Sequence, residues 1–135
     1  MNKVIKMGSN LEVGSLDPKF RHLERRIRLV ARGLLRLTGK EKAALGVYLV
    51  NDRTMVKNVL AFPAPKQFPY PNLPGTYLGE VYVNPDYIEK NGENLDYMLV
   101  HGYLHLLGYV HEKKDARITM ERRERALMRK LNLPR

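Results

Sequence analysis

Three of the four histidines in this 135-residue chain fall within one run of eleven residues, HGYLHLLGYVH, as His101, His105 and His111. On an α-helix residues four apart stand one above the other, so His101 and His105 can aim two imidazoles at one ion. Gly108 suits the left-handed backbone that ends a helix and turns the chain, which lets His111 return as a third ligand. Three imidazoles leave a fourth position for water, the open coordination of a catalytic zinc. One such ion per chain would lower the pKa of its water to about 7 and polarise a carbonyl or phosphoryl oxygen, so hydrolysis is the economical chemistry. The chain has no cysteine. Thiolate ligands, disulfides and a thiol nucleophile are therefore excluded, and a metal must be held by histidine and oxygen. Nickel, manganese and iron also accept three imidazoles, and zinc is favoured by frequency.

These eleven residues resemble the signature H-G-x-L-H-L-x-G-Y-D-H of the YbeY family, bacterial metal-dependent endoribonucleases associated with ribosomal RNA maturation and ribosome quality control, at ten of its eleven positions. More weakly, VLAFP (59–63) is similar to the family's T-D-V-L-S-F-P segment, LGEVYV (78–83) to its L-G-D-I-x-I strand, and Met120 with the helix after it to its C-terminal helix. The resemblance runs from about Leu45 onward. It implies a zincin-like fold, a zinc ion, single-stranded regions of ribosomal RNA as substrate and the ribosome as partner.

The histidine spacing also resembles that of the metzincin proteases. They carry glutamate as general base directly after the first histidine, where this chain has Gly102, so peptidase ranks below nuclease. The chain departs from the YbeY pattern as well. Val110 replaces the aspartate before the third histidine, Lys57-Asn58 stands for Thr-Asp, Ala61 replaces serine and Glu80 replaces aspartate. The stretch that in the family holds a functionally important arginine is shortened, and Arg53 is the nearest candidate.

By that resemblance Arg53 is the expected cation for the charge that builds on phosphorus, with a solvated loop arginine as the plainer alternative. Glu112, beside the third ligand, is the nearest carboxylate for proton transfer, or else an exposed residue at a helix start. Tyr103 and Tyr109 flank the ligands and either stack on bases or pack into the core, and Met120 is expected beneath the site. Two other functions stand beside the endoribonuclease: a metallopeptidase-like hydrolase of the same fold, and a non-catalytic RNA- or ribosome-binding module with a structural metal.

The rest of the chain must position these residues. Its length suits one domain, residues 1–135, able to bury a core without disulfides. The apolar fraction is 44% and the charged fraction 28%, as in ordinary soluble proteins. No apolar run reaches the ~20 residues that span a bilayer. The opening MNKVIKMGSNLEV lacks the apolar block of a secretory signal, so a cytoplasmic protein is expected. A formal charge of +10 suits a phosphate-rich partner such as RNA.

Short strands are expected at 2–6, 11–13, 45–50 and 59–62, the last two buried, and the best-alternating one at 76–83, closed by Asn84-Pro85. One helix should run from its cap at Asp17 to Gly39, burying Phe20, Leu23, Ile27, Val30 and Leu34. Its opposite face carries Arg21, Arg25, Arg28, Arg32 and Arg36, a ridge able to track a phosphate backbone. The proline-rich stretch 63–75 reads as a binding or lid loop. Leu95–Leu107 reads as a helix capped by Asn94, and a last helix over about Asp115–Leu131 makes apolar contacts through Ile118, Leu127, Met128 and Leu131. The class expected is α+β, a small mixed sheet of about four strands packed with helices.

Overall fold

The structure is a computed structural model that describes residues 10–65 and 77–133. The expected strand at 2–6 and all but the first three residues of the proline-rich stretch lie outside the described residues. The elements run β1 (Asn10–Ser15), a 3-10 turn (Pro18–Leu23), α1 (Glu24–Leu37), β2 (Ala44–Leu49), β3 (Val59–Pro63), β4 (Tyr77–Val83), α2 (Pro85–Lys90), α3 (Leu95–Leu106) and α4 (Lys114–Lys130). The strands form one mixed sheet in the order β1-β2-β4-β3. The first two pairings are parallel, and β3 joins β4 antiparallel as an edge strand.

Register brings Val13, Val47, Val81 and Ala61 into one row across the four strands. Because side chains alternate along a strand, that row and its second neighbours Leu45, Leu49, Val83 and Val59 share one face. α1 covers this face over β1, and α3 covers it over β3 and β4. Ile27, Leu34, Leu99 and Leu104 fill the space between, all fully buried; each such side chain stabilises by about 1.5–3 kcal/mol. α4 packs on α3 and brings Glu124 against His101. Among the described residues no helix is long and apolar enough to cross a membrane.

Several expectations are corrected. The helix expected from Asp17 to Gly39 is two pieces, because Asp17 caps a tighter 3-10 turn: its side chain accepts from the Lys19 amide at 3.0 Å and its carbonyl from Phe20 at 3.1 Å. That turn buries Phe20 before α1 begins. Arg21, Arg25, Arg32 and Arg36 are exposed as a ridge requires, while Arg28 is half-buried. Asn84-Pro85 ends β4 but also opens α2, with Asn84 as N-cap and proline in the first turn. Strand β3 buries only Val59 of the four residues expected inside; Phe62 is 52% exposed, as an edge position allows. Ile118 is 41% exposed, and the buried face of α4 is instead Met120, Glu124, Leu127 and Met128.

One ion pair ties the helix that carries two of the histidines to α1. Asp96, in the first turn of α3 and fully buried, accepts from Arg26 Nε at 3.0 Å and Nη2 at 2.5 Å. Removing the arginine strands a buried carboxylate, which normally costs more than trimming a solvated charge. Arg26→Ala should therefore destabilise the fold by about 1–3 kcal/mol, against about 0.5 kcal/mol or less for Arg25→Ala; urea unfolding of the two variants measures the difference.

Candidate metal centre

Helix α3 starts at Asn94, whose side chain accepts from the Tyr97 amide at 2.9 Å. It ends in a paired turn, with Tyr109 N donating to Leu104 O at 3.1 Å and Gly108 N to His105 O at 3.1 Å. This is a Schellman ending, and Gly108 supplies its left-handed residue at φ 101°. The turn brings His111 back over the last turns of α3. The ligand nitrogens of His101, His105 and His111 all lie within 4.8 Å of one another, so these residues could hold a metal ion. His101 and His105 are half-buried and His111 is exposed.

The hydrogen bonds behind the rings settle which nitrogens face the centre. His105 Nδ1 lies 3.0 Å from the Tyr109 carbonyl, which can only accept, so that nitrogen carries the proton. His101 Nδ1 lies 2.5 Å from a carboxylate oxygen of Glu124 and donates to it, while the Tyr97 hydroxyl donates to the other oxygen. With both rings neutral, the Nε2 atoms are the free lone pairs, and they lie 3.2 Å apart. Two lone pairs at that distance repel unless a cation lies between them. Nitrogens each 2.0–2.1 Å from a tetrahedral ion stand about 3.3 Å apart, so the spacing of this pair fits one. Any wider separation involves His111, the exposed ligand. Burial, and next the nearby His101, push the His105 pKa down, which keeps its Nε2 free of a proton at neutral pH.

The position after His101 has a steric explanation. A Cβ on Gly102 would lie 2.8 Å from Val59 Cγ2 and 2.8 Å from Val81 Cγ1. α3 presses on the sheet there, and a side chain, a glutamate above all, fits only if those valine side chains shift.

The histidines open into a cleft of about 640 Å³. Its walls are β3 (Leu60, Ala61, Pro63) with Lys57 and Asn58 before it, α3 (Tyr97, Met98, Gly102), and one face of α4 (Arg117, Met120, Glu121, Glu124). The sequence-expected Arg53 and Glu112 are not in this lining. Arg53 sits in the loop after β2, its amide on Asn51 Oδ1 at 3.0 Å and its charge acting on Asp17. Glu112 is exposed, close enough to His105 for its charge to be felt there. Tyr103 is fully buried, its hydroxyl 2.6 Å from Thr38 Oγ1, and cannot stack on a base. Tyr109 serves the site through its carbonyl, and Met120 lies buried below as expected.

Glu124, Tyr97, Glu121 and Arg117 were not expected. One signal pointed to the first: Met120, Leu127, Met128 and Leu131 form a helical stripe, and Glu124 falls on it one turn after Met120. An acid on an apolar stripe needs a buried partner, here His101.

The family model described as Endoribonuclease YbeY matches residues 21–132. The chain is similar to the Endoribonuclease YbeY of Anaeromyxobacter sp. (strain Fw109-5), 31% identical over 139 residues, with 88% of this chain and 70% of that protein covered. It is also similar to those of Bartonella henselae, 38% identical over 86 residues, and Bartonella quintana, 40% identical over 85 residues. Those two alignments cover 56% of this chain and 52% of each relative. The chain thus spans about half the length of most of the curated relatives it matches.

Three outcomes follow from this geometry. Glu124→Gln should weaken divalent-metal affinity by about 10–100-fold, read by competition with a chromogenic chelator. Protons compete with the ion for imidazole, so affinity should hold above pH ~6.5 and fall below it, with His105 entering that competition later than a free imidazole would. Gly102→Ala should destabilise by about 1–2 kcal/mol, overpacking outweighing the gain in helix propensity. Combined with Val81→Ala its cost should shrink by at least about 0.5 kcal/mol, the coupling expected of residues in contact.

Proposed function

The chain belongs to the YbeY family, and from that premise we propose that it is a single-domain, zinc-dependent endoribonuclease acting on single-stranded regions of ribosomal RNA, in ribosome maturation and quality control in the cytoplasm. The observation that carries this reading is the pair of imidazole Nε2 atoms 3.2 Å apart with a third imidazole beside them, in a cleft that Lys57 and Arg117 also line. When bound, a divalent ion there supplies Lewis acidity toward a phosphoryl oxygen and acidifies water.

The chain's own residues have separable tasks. Glu124 and the Tyr109 carbonyl hold the tautomers and ring planes of His101 and His105. Lys57 and Arg117 enter the cleft from opposite walls, and among the described residues neither side chain is engaged in an ion pair or hydrogen bond. Both are free to take phosphate oxygens, which assigns them the part first given to Arg53. The arginine ridge of α1 adds positive potential that draws a polyanion. A peptidase is disfavoured by Gly102, where the structure leaves no room for the carboxylate that chemistry uses.

The deciding experiment incubates a single-stranded RNA oligonucleotide with metal-loaded protein, with protein treated with chelator, and with His111→Ala. Cleavage by the first alone is expected. Salt-sensitive RNA binding with no cleavage by any form would favour the binding module, and chelator-sensitive peptide cleavage the peptidase. Lys57→Ala and Arg117→Ala should each reduce the slope of log affinity against log salt by about 0.7, the value for one phosphate contact on a single strand.

A further inference from the structure

Hydrolysis of a phosphodiester moves a proton from the attacking water to the leaving oxygen, and the two positions where comparison would place a carboxylate to carry it are Gly102 and Val110. Gly102 has no space for one, and Val110 is apolar and about half exposed. Among the described residues the cleft is lined by two carboxylates, Glu124 and Glu121. Glu124 is 1% exposed, and its oxygens accept from His101 and Tyr97. It is committed to orienting a ligand.

Glu121 differs on each count. It is half-buried, it faces the open cleft, and among the described residues it makes no side-chain hydrogen bond or ion pair. Residues three or four apart on a helix are neighbours, so Arg117, Glu121 and Glu124 form one stripe of α4 along the cleft. The end of the stripe at Glu124 touches His101. Along α4, Glu121 stands one turn from Glu124, which bonds the His101 ring, and one turn from the free cation Arg117.

We propose that Glu121 is the carboxylate that moves the proton in phosphodiester cleavage, an assignment that rests on the endoribonuclease reading. The water oxygen forms its bond to phosphorus as one of its protons passes to a Glu121 oxygen. The bond from phosphorus to the leaving ribose oxygen breaks, its electron pair staying on that oxygen, and Glu121 delivers the proton there. Diester and water become a phosphomonoester and a hydroxyl, and the carboxylate ends ionised as it began. Arg117, one turn away, holds the phosphate against this motion.

The test compares wild type, Glu121→Gln, Glu121→Ala and His111→Ala on one single-stranded RNA. Turnover, RNA affinity, bound metal and thermal unfolding are measured for each. Glu121→Gln should lower kcat by roughly 10²–10⁴-fold, with metal content, melting temperature and RNA affinity kept. Added formate should restore part of the rate of Glu121→Ala, which a structural role would not produce. If wild type cleaves and His111→Ala does not, but Glu121→Gln stays within about threefold of wild type, the assignment fails while the endoribonuclease reading stands. Loss of metal or of folding in Glu121→Gln would likewise overturn it. If wild type and His111→Ala cleave equally or not at all, the endoribonuclease reading falls and takes the assignment with it.

Discussion

Two imidazole Nε2 atoms stand 3.2 Å apart while the Nδ1 atoms behind them are hydrogen-bonded, and much of the molecule serves to keep them so. When both rings are neutral their lone pairs repel, and a cation between them relieves that repulsion. Rings free to turn would simply rotate apart. They are prevented by Glu124 behind one, the Tyr109 carbonyl behind the other, and the turn at Gly108 that brings that carbonyl round. Anything that binds only the folded state stabilises it, so the same arrangement couples metal binding to folding.

That arrangement demands a rigid α3. The helix is fixed at its start by the Asn94 cap and by Asp96 on Arg26, and in its middle by contact with the sheet at Gly102. The contact is so close that the absence of a side chain becomes a requirement of packing. A steric demand of the core has thus excluded one hydrolytic mechanism from the position beside the first histidine. Interiors are packed densely enough for such a conflict to be decided by a few tenths of an ångström.

Charge is divided along similar lines. Lys19, Arg26 and Lys90 are engaged with Asp86, Asp96 and Asp52, contacts that tie the 3-10 turn, the helices and the loop after β2 together. Lys57 and Arg117 are left uncommitted on the walls of the cleft. Edge strand β3 forms one of those walls. In its ladder with β4 the bonds from Asn84 N to Asn58 O and from Ala64 N to Leu78 O mark the even-numbered positions as the paired ones. The backbone groups of Ala61 therefore point outward along the free edge.

The convergence of the three histidines was legible in the sequence because helical spacing and a glycine stop are local: i, i+4 and a left-handed residue need no knowledge of the rest of the chain. An apolar run likewise revealed β2, alternation β4, and periodicity the buried face of α1 from Ile27 to Leu34. What lies between the strands and helices was not local. Glu124 reaches His101 across 23 residues, and Arg117 and Glu121 share a cleft with Lys57 only through the tertiary packing of α4. Arg53 was expected from the family resemblance and Glu112 from its place beside His111, and Gly102 was seen as a missing base, because a single sequence shows which residues are neighbours in order but not which surfaces are pressed together. Spacing along one helix determined where an ion could be held; packing between α3, α4 and the sheet decided which side chains surround it.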